Sequence, residues 1–181
     1  MVQAVELTFD RTTDERVRAE WAALQVAGLP SLADHTGATN RPHLTLHVRD
    51  ELDAAAEGRL EGVVRRLPLR LHLGPLVLFH ARRRWVVARQ VTVDRALLEL
   101  HEEVSEIVGG GGSPLTEPGS WVPHVSLARG VRDEQVGEVL GVLADSPPYA
   151  ARALRLRRWD QPARRAWDVA PAAQTSAERS L

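Results

Sequence analysis

The chain has 181 residues, 44% of them hydrophobic and 26% charged, with a formal net charge of −1. That is room for one well-packed domain, or two small lobes sharing a core, without the broad basic surface that long nucleic acids need. It contains no cysteine and all 23 basic residues are arginine, which excludes disulfides, thiolate metal sites, cysteine nucleophiles, P-loop lysines and covalent lysyl-nucleotide intermediates.

The N-terminus runs straight into "VQAVELTF", which alternates rather than forming a basic start and a long apolar core. No signal peptide is expected, and no apolar run reaches the ~18 residues that would span a bilayer, so a cytoplasmic protein with no membrane partner is the default. Residues 4–9 read as a strand by their period of two. "TDERVRAEWAALQVAG" reads as a helix, with Thr13 as its cap and Gly28 as its stop. Residues 29–42 form a loop by their Gly, Pro, Asn and Ser content, and "HLTLHV" is a second strand. A helix from about Asp53 ends before Pro68. The stretch "LPLRLHLGPLVLFHARRRWVVARQVTV" predicts strands with turns near Gly74 and at "HARRR". "DRALLELHEEVSEIVG" predicts an amphipathic helix stopped by four glycines, followed by a mobile segment, "GGGGSPLTEPGS". A strand from His124, a helix from Asp133 to about Leu143 and a final hairpin, "ARALRLRRWDQPARRAWDVA", complete the order. Residues 1–171 are expected to form a single bilobal domain and residues 172–181 a disordered tail.

Two stretches carry the chemistry. "RPHLTLHV" and "VPHVSLARGV" each set a histidine two positions before a hydroxyl residue, and His43 and His124 lie 81 positions apart (124 − 43). "RRRWVVA" and "RRAWDVA" repeat at nearly the same offset, Trp85 to Trp167, which predicts an internal duplication with two lobes about a pseudo-two-fold axis. Along a strand His43 and Thr45 share one face, as do His124 and Ser126, with the intervening apolar residues turned to the core. Two imidazoles and two hydroxyls meeting across a groove suit a phosphodiester. One ring removes a proton from the attacking oxygen, the other donates one to the leaving oxygen, and the hydroxyls hold the non-bridging oxygens. The competing reading is a pair of core histidines satisfied by neighbouring hydroxyls.

With "HLTL" at 43–46 and "HVSL" at 124–127, the chain resembles the two-histidine (2H) phosphoesterases, among them the 2′-5′ RNA ligase and RNA cyclic phosphodiesterase group. The resemblance covers nearly the whole chain to about residue 170. It implies an α+β fold, bilobal, with two antiparallel sheets lining a central groove and helices outside. It implies His43 and His124 as the acid/base pair and Thr45 and Ser126 as phosphate-binding residues. The implied activity is cleavage of 2′,3′-cyclic phosphate or 2′-5′ linkages of RNA ends or small nucleotides, reversible as ligation, with no metal and no cofactor. The alternative is a module that binds phosphorylated RNA ends or nucleotides in the same groove without turnover.

The neighbouring residues weigh differently. His47 shares a face with His43 in a regular strand but lies about 13 Å along it, too far to share one ion, and is expected at the groove edge or surface. Trp121 is a candidate platform for a nucleobase, against the alternative of packing its loop onto the lobe. Arg41 and Arg129 are candidate phosphate contacts, Arg129 on the side of His124 only if the strand continues past Ala128. A monomer is the default oligomeric state.

Overall fold

A computed structural model of the chain describes residues 2–109 and 112–169. The expected tail and residues 110–111 of the glycine segment lie outside the described residues. Seven strands, β1 (Gln3–Phe9), β2 (His43–Arg49), β3 (Leu69–Ala81), β4 (Arg84–Val91), β5 (His124–Val131), β6 (Tyr149–Asp160) and β7 (Arg165–Asp168), alternate with four α-helices: α1 (Arg11–Val26), α2 (Ala54–Val63), α3 (Arg95–Val108) and α4 (Val136–Leu143). The class is α+β. All pairings are antiparallel, in the order β2-β1-β6-β3-β4-β5, with β7 added beside β6.

Where two sheets are expected, one continuous path is found. Two long strands are the cause. The first half of β3 (Leu69–Leu73) pairs with the first half of β6 (Tyr149–Ala153), while the second half of β3 pairs with β4 and the second half of β6 with β1 and β7. The turn expected near Gly74 is absent. Gly74 marks instead the register irregularity at which β3 exchanges one partner for the other.

Helix starts follow local chemistry. Asp10, Asp53 and Asp94 each accept a backbone N–H of the first turn, from Thr13, Ala56 and Leu97, satisfying donors that the helix itself leaves unpaired. The cap of α1 is thus Asp10 rather than Thr13, whose hydroxyl accepts from the Arg152 N–H at 3.2 Å. The core is a single apolar cluster. It includes Val5 and Leu7 of β1, Leu44 and Leu46 of β2, Val125 and Leu127 of β5, Leu156 of β6, and the inward stripes of α1 (Val17, Trp21, Leu24) and α3 (Leu97, Leu100, Val104). Each such side chain contributes roughly 1.5–3 kcal/mol by leaving water. The helices cross between halves: α1 packs on β5 and α4, whereas α3 packs on β2 and α2. A buried ion pair, Arg89 Nη2 to Glu20 Oε1 at 2.6 Å, fastens α1 to β4 as well. The two ends of the sheet path, β2 and β5, approach within 8 Å Cα to Cα without exchanging ladder hydrogen bonds.

Candidate active site

Alternation decides what faces the groove. On β1, Val5 and Leu7 turn to the core, so Ala4 and Glu6 take the opposite face; on β2, Leu44 and Leu46 turn in, and His43 and Thr45 face out with them. With Arg157 and Trp159 of β6, residues of the loop 32–40 and Arg129 of β5, they line a cavity of about 450 Å³.

Both histidine strands carry the same irregularity. In β2, Val5 pairs with His47 and Glu6 with Thr45, so Leu46 is an extra residue; in β5, Val87 pairs with Ala128 and Ala88 with Ser126, so Leu127 is extra. A bulge reverses the alternation beyond it. His47 and Ala128 therefore turn inward, and Val48 and Arg129 come round to the cavity. This corrects the expectation for His47, which is 0% exposed. It also explains how Arg129 reaches the groove. Gly130 follows at φ +75°, a backbone conformation that side chains disfavour, as an unpaired residue between Arg129 and Val131.

Each histidine begins its strand, and each is aimed in the same way. His43 Nδ1–H donates to the Arg41 carbonyl at 2.6 Å, and His124 Nδ1–H to the Val122 carbonyl at 2.7 Å. The neutral ring then keeps its lone pair on Nε2, which is left able to accept a proton. Beyond this point the two sites differ. His43 Nε2 stands 3.6 Å from Glu6 Oε1. Glu6 is buried, and its other oxygen accepts two hydrogen bonds from Arg157, at 2.6 and 2.9 Å. His124 lies against the ring of Phe79, centroids 4.6 Å apart. Its pKa is pushed down by burial first; the Val122 carbonyl opposes this, and the positive charges of Arg129 and of a protonated His43 add smaller lowering contributions.

The remaining candidates are placed as follows. Thr45 lines the cavity; Ser126 is buried in β5, and neither Ser126 nor His124 is in the cavity lining. Arg41 opens onto a neighbouring cleft and its Nε lies 3.3 Å from Asp14. Trp121 stacks on His101, centroids 3.9 Å apart, and its Nε1–H donates to the Thr45 carbonyl at 3.0 Å. That is the packing alternative, and the ring is not in the cavity lining. The segment around it folds onto β2: the Ser113 N–H donates to the Val48 carbonyl, and Thr116 Oγ1 accepts from the Val48 N–H. Gly112 sits so close to the Val48 carbonyl that a Cβ there would lie 1.9 Å from it. Among the described residues no group of three His, Asp or Glu is arranged to hold a metal ion.

Comparison with known proteins decides the family. The model of the 2′-5′ RNA ligase superfamily matches residues 13–164. The chain belongs to that superfamily of 2H phosphoesterases. No curated protein matches the sequence. Among solved structures, E. coli LigT is similar at 16% identity and a TM-score of 0.53, covering 92% of each chain. Usb1 of Kluyveromyces marxianus is similar at 12% identity and a TM-score of 0.53, covering 93% of this chain and 97% of that one. A further phosphoesterase reaches a TM-score of 0.56 at 17% identity, covering 92% of each chain. At these identities the likeness is one of fold. LigT has been solved with phosphate and with 3′-AMP, and Usb1 with uridine monophosphate.

Sequence reasoning did not single out three residues that the structure sets around the candidate histidines: Glu6 and Arg157 by His43, and Phe79 by His124. Glu6 sits between Val5 and Leu7 in an alternating strand, the usual setting of a solvated carboxylate. Its partner lies 151 residues away. The available signal was that β1 flanks a histidine strand, so its polar positions share that strand's outer face.

Proposed function

We propose that this chain is a metal-independent phosphodiesterase acting on 2′,3′-cyclic phosphate or 2′-5′ linkages of RNA ends or small nucleotides, with 2′-5′ ligation as the reverse reaction. The observation that carries the reading is the matched aim of His43 and His124, each with Nδ1–H engaged two residues back and Nε2 left to act, beside a cavity lined by Thr45 and Arg129. The matched bulges at Leu46 and Leu127, with the crossed packing of α1 and α3, support two equivalent half-sites about a pseudo-two-fold axis.

In hydrolysis His124 is the base, since burial beside Arg129 favours its neutral form, and His43 is the acid, its Nε2–H facing the Glu6 carboxylate. His124 takes a proton from water as the water oxygen bonds to phosphorus. The bond from phosphorus to one ribose oxygen breaks, and His43 gives that oxygen its proton. Arg129, with the Thr45 and Ser126 hydroxyls, holds the non-bridging oxygens as charge builds on them. The cyclic or 2′-5′ phosphate end is the partner, no cofactor takes part, and the chain acts as a cytoplasmic monomer. Replacing His43 or His124 by alanine is expected to remove most turnover, a loss of about a hundredfold or more, with the circular dichroism melt unchanged; EDTA leaves turnover intact. Full activity in either variant would reject the assignment.

A further inference from the structure

A second cleft, about 410 Å³, adjoins the reaction cavity and shares Thr39 and Arg157 with it. Its lining brings together four guanidinium-bearing residues, Arg41, Arg157, Arg164 and Arg165, against one carboxylate, Asp168. That carboxylate is already engaged, its Oδ2 lying 2.6 Å from Arg155 Nη1. Arg157 is neutralised by Glu6, with its Nη1–H directed to the Thr39 carbonyl at 3.3 Å, and Arg41 shares Asp14 with Arg18. Arg164 and Arg165 have no carboxylate partner among the described residues. They stand at the β6–β7 hairpin tip, where Arg164 takes φ +51° to close the turn. Two unneutralised cations thus face a cleft that opens into a phosphodiester site.

We infer that this cleft is a backbone subsite: it holds the phosphates of the RNA strand that leads to the reacting end, making the preferred substrate an oligoribonucleotide rather than a free cyclic nucleotide. The inference rests on the phosphodiesterase reading and deepens it. Continuity selects the ligand. A strand whose terminal phosphate lies by His43 and Arg129 leaves the cavity past Thr39 and Arg157 with its next phosphates beside Arg164 and Arg165, and guanidinium groups suit phosphate oxygens. The other basic hairpin tip, Arg82–Arg84, carries similar charge but is in the lining of neither cavity. The net charge of −1 is no obstacle, because the positive field is local.

The test compares a 2′,3′-cyclic mononucleotide with a ten-residue oligoribonucleotide ending in the same cyclic phosphate, and adds binding of the 3′-phosphate forms of both, which need no turnover. The variant is Arg164→Gln with Arg165→Gln, which keeps the side-chain stems at an exposed tip; a thermal melt checks folding. The parent is expected to favour the oligonucleotide in kcat/KM and in Kd. The double variant is expected to lose about tenfold on the oligonucleotide in both while the mononucleotide serves as reference. Its salt slope, log Kd against log salt, should flatten by about 1.4. Equal affinity for the two ligands, equal losses on both, or competition by an acidic peptide as strong as by the oligonucleotide would each overturn the subsite. Failure of the underlying reading looks different: the parent turns over neither substrate, while the binding comparison still decides the subsite.

Discussion

A ring nitrogen that donates to a carbonyl leaves the other nitrogen to do chemistry, so the Arg41 and Val122 carbonyls set what His43 and His124 can do. On the proposed mechanism the surroundings then separate their roles, His124 as base and His43 as acid. Because His124 must be neutral to act as base and its pKa is lowered by burial, the rising limb of kcat/KM is expected below pH 6.5, the ordinary histidine value. Arg129 contributes to that lowering, so Arg129→Gln moves the limb toward higher pH. Burial is the larger cause, so only part of the displacement reverses. A limb unmoved by the substitution, with the parent limb at or above 6.5, would assign the base elsewhere. Glu6 makes a separate prediction. Glu6→Gln leaves the buried Arg157 guanidinium without its counter-charge, a loss on the order of 3–5 kcal/mol, read as a lowered denaturant midpoint; Arg157→Met in the same chain recovers part of it. At this scale the sequence displays His43, Thr45, His124 and Ser126, because hydroxyl and imidazole two apart on one strand face is a local pattern. Glu6 and Arg157 are not local, and no spacing marks them.

Elements add what residue patterns cannot: a bulge. A strand reading with period two places His47 on the groove face, and one extra residue at Leu46 turns it into the interior, between α3 and the 113–121 segment. Neither ring nitrogen of His47 finds a hydrogen-bond partner among the described residues, with Glu117 Oε1 3.8 Å off; His101 donates from Nε2 to the Thr116 carbonyl and its Nδ1 is left unpaired. Burial is the first cause lowering both pKa values, outweighing the opposing pull of Glu117 on each and of the Thr116 carbonyl on His101. The sign follows from proton counts. Below about pH 6.5 the unfolded chain takes up these protons while the folded chain resists them, so stability is full above that pH and falls as the pH drops toward the lowered folded values. The slope is at most about 1.4 kcal/mol per pH unit for each titrating ring. A thermal melt series from pH 7.5 to 5 is expected to show falling midpoints, and His47→Leu to flatten it. That substitution removes a titrating group and breaks no hydrogen bond. An unchanged pH profile in His47→Leu would place the acid sensitivity in other groups.

At the scale of the whole molecule, a groove needs two strand ends to be held side by side without pairing. The repeat of motif and tryptophan in the sequence anticipates two matched histidine strands, and the α+β class with its helix order is legible there too. The single sheet path is not, because nothing in "LPLRLHLGPLVLF" reveals that one strand serves two partners. Beside the β1 and β4 ladders, crossed packing bears on both strands. Trp21 of α1 donates its Nε1–H to the Ser126 carbonyl of β5 at 3.1 Å, and Trp121 donates to the Thr45 carbonyl of β2 at 3.0 Å. Each bond ties a hydroxyl-bearing motif residue to an element from outside its own strand. Trp21→Phe keeps most of the apolar contact yet leaves a buried carbonyl unpaired, which costs about 1–3 kcal/mol. If crossed packing positions the second half-site, the same variant loses turnover beyond its stability loss, with kcat falling more than KM rises at a temperature where it is fully folded. Trp121→Phe, at a half-buried ring, should show the smaller stability change. A Trp21→Phe protein with a lowered denaturant midpoint and unaltered kcat would mean that β5 holds its register through the β4 ladder alone, and that α1 stabilises the groove without shaping it.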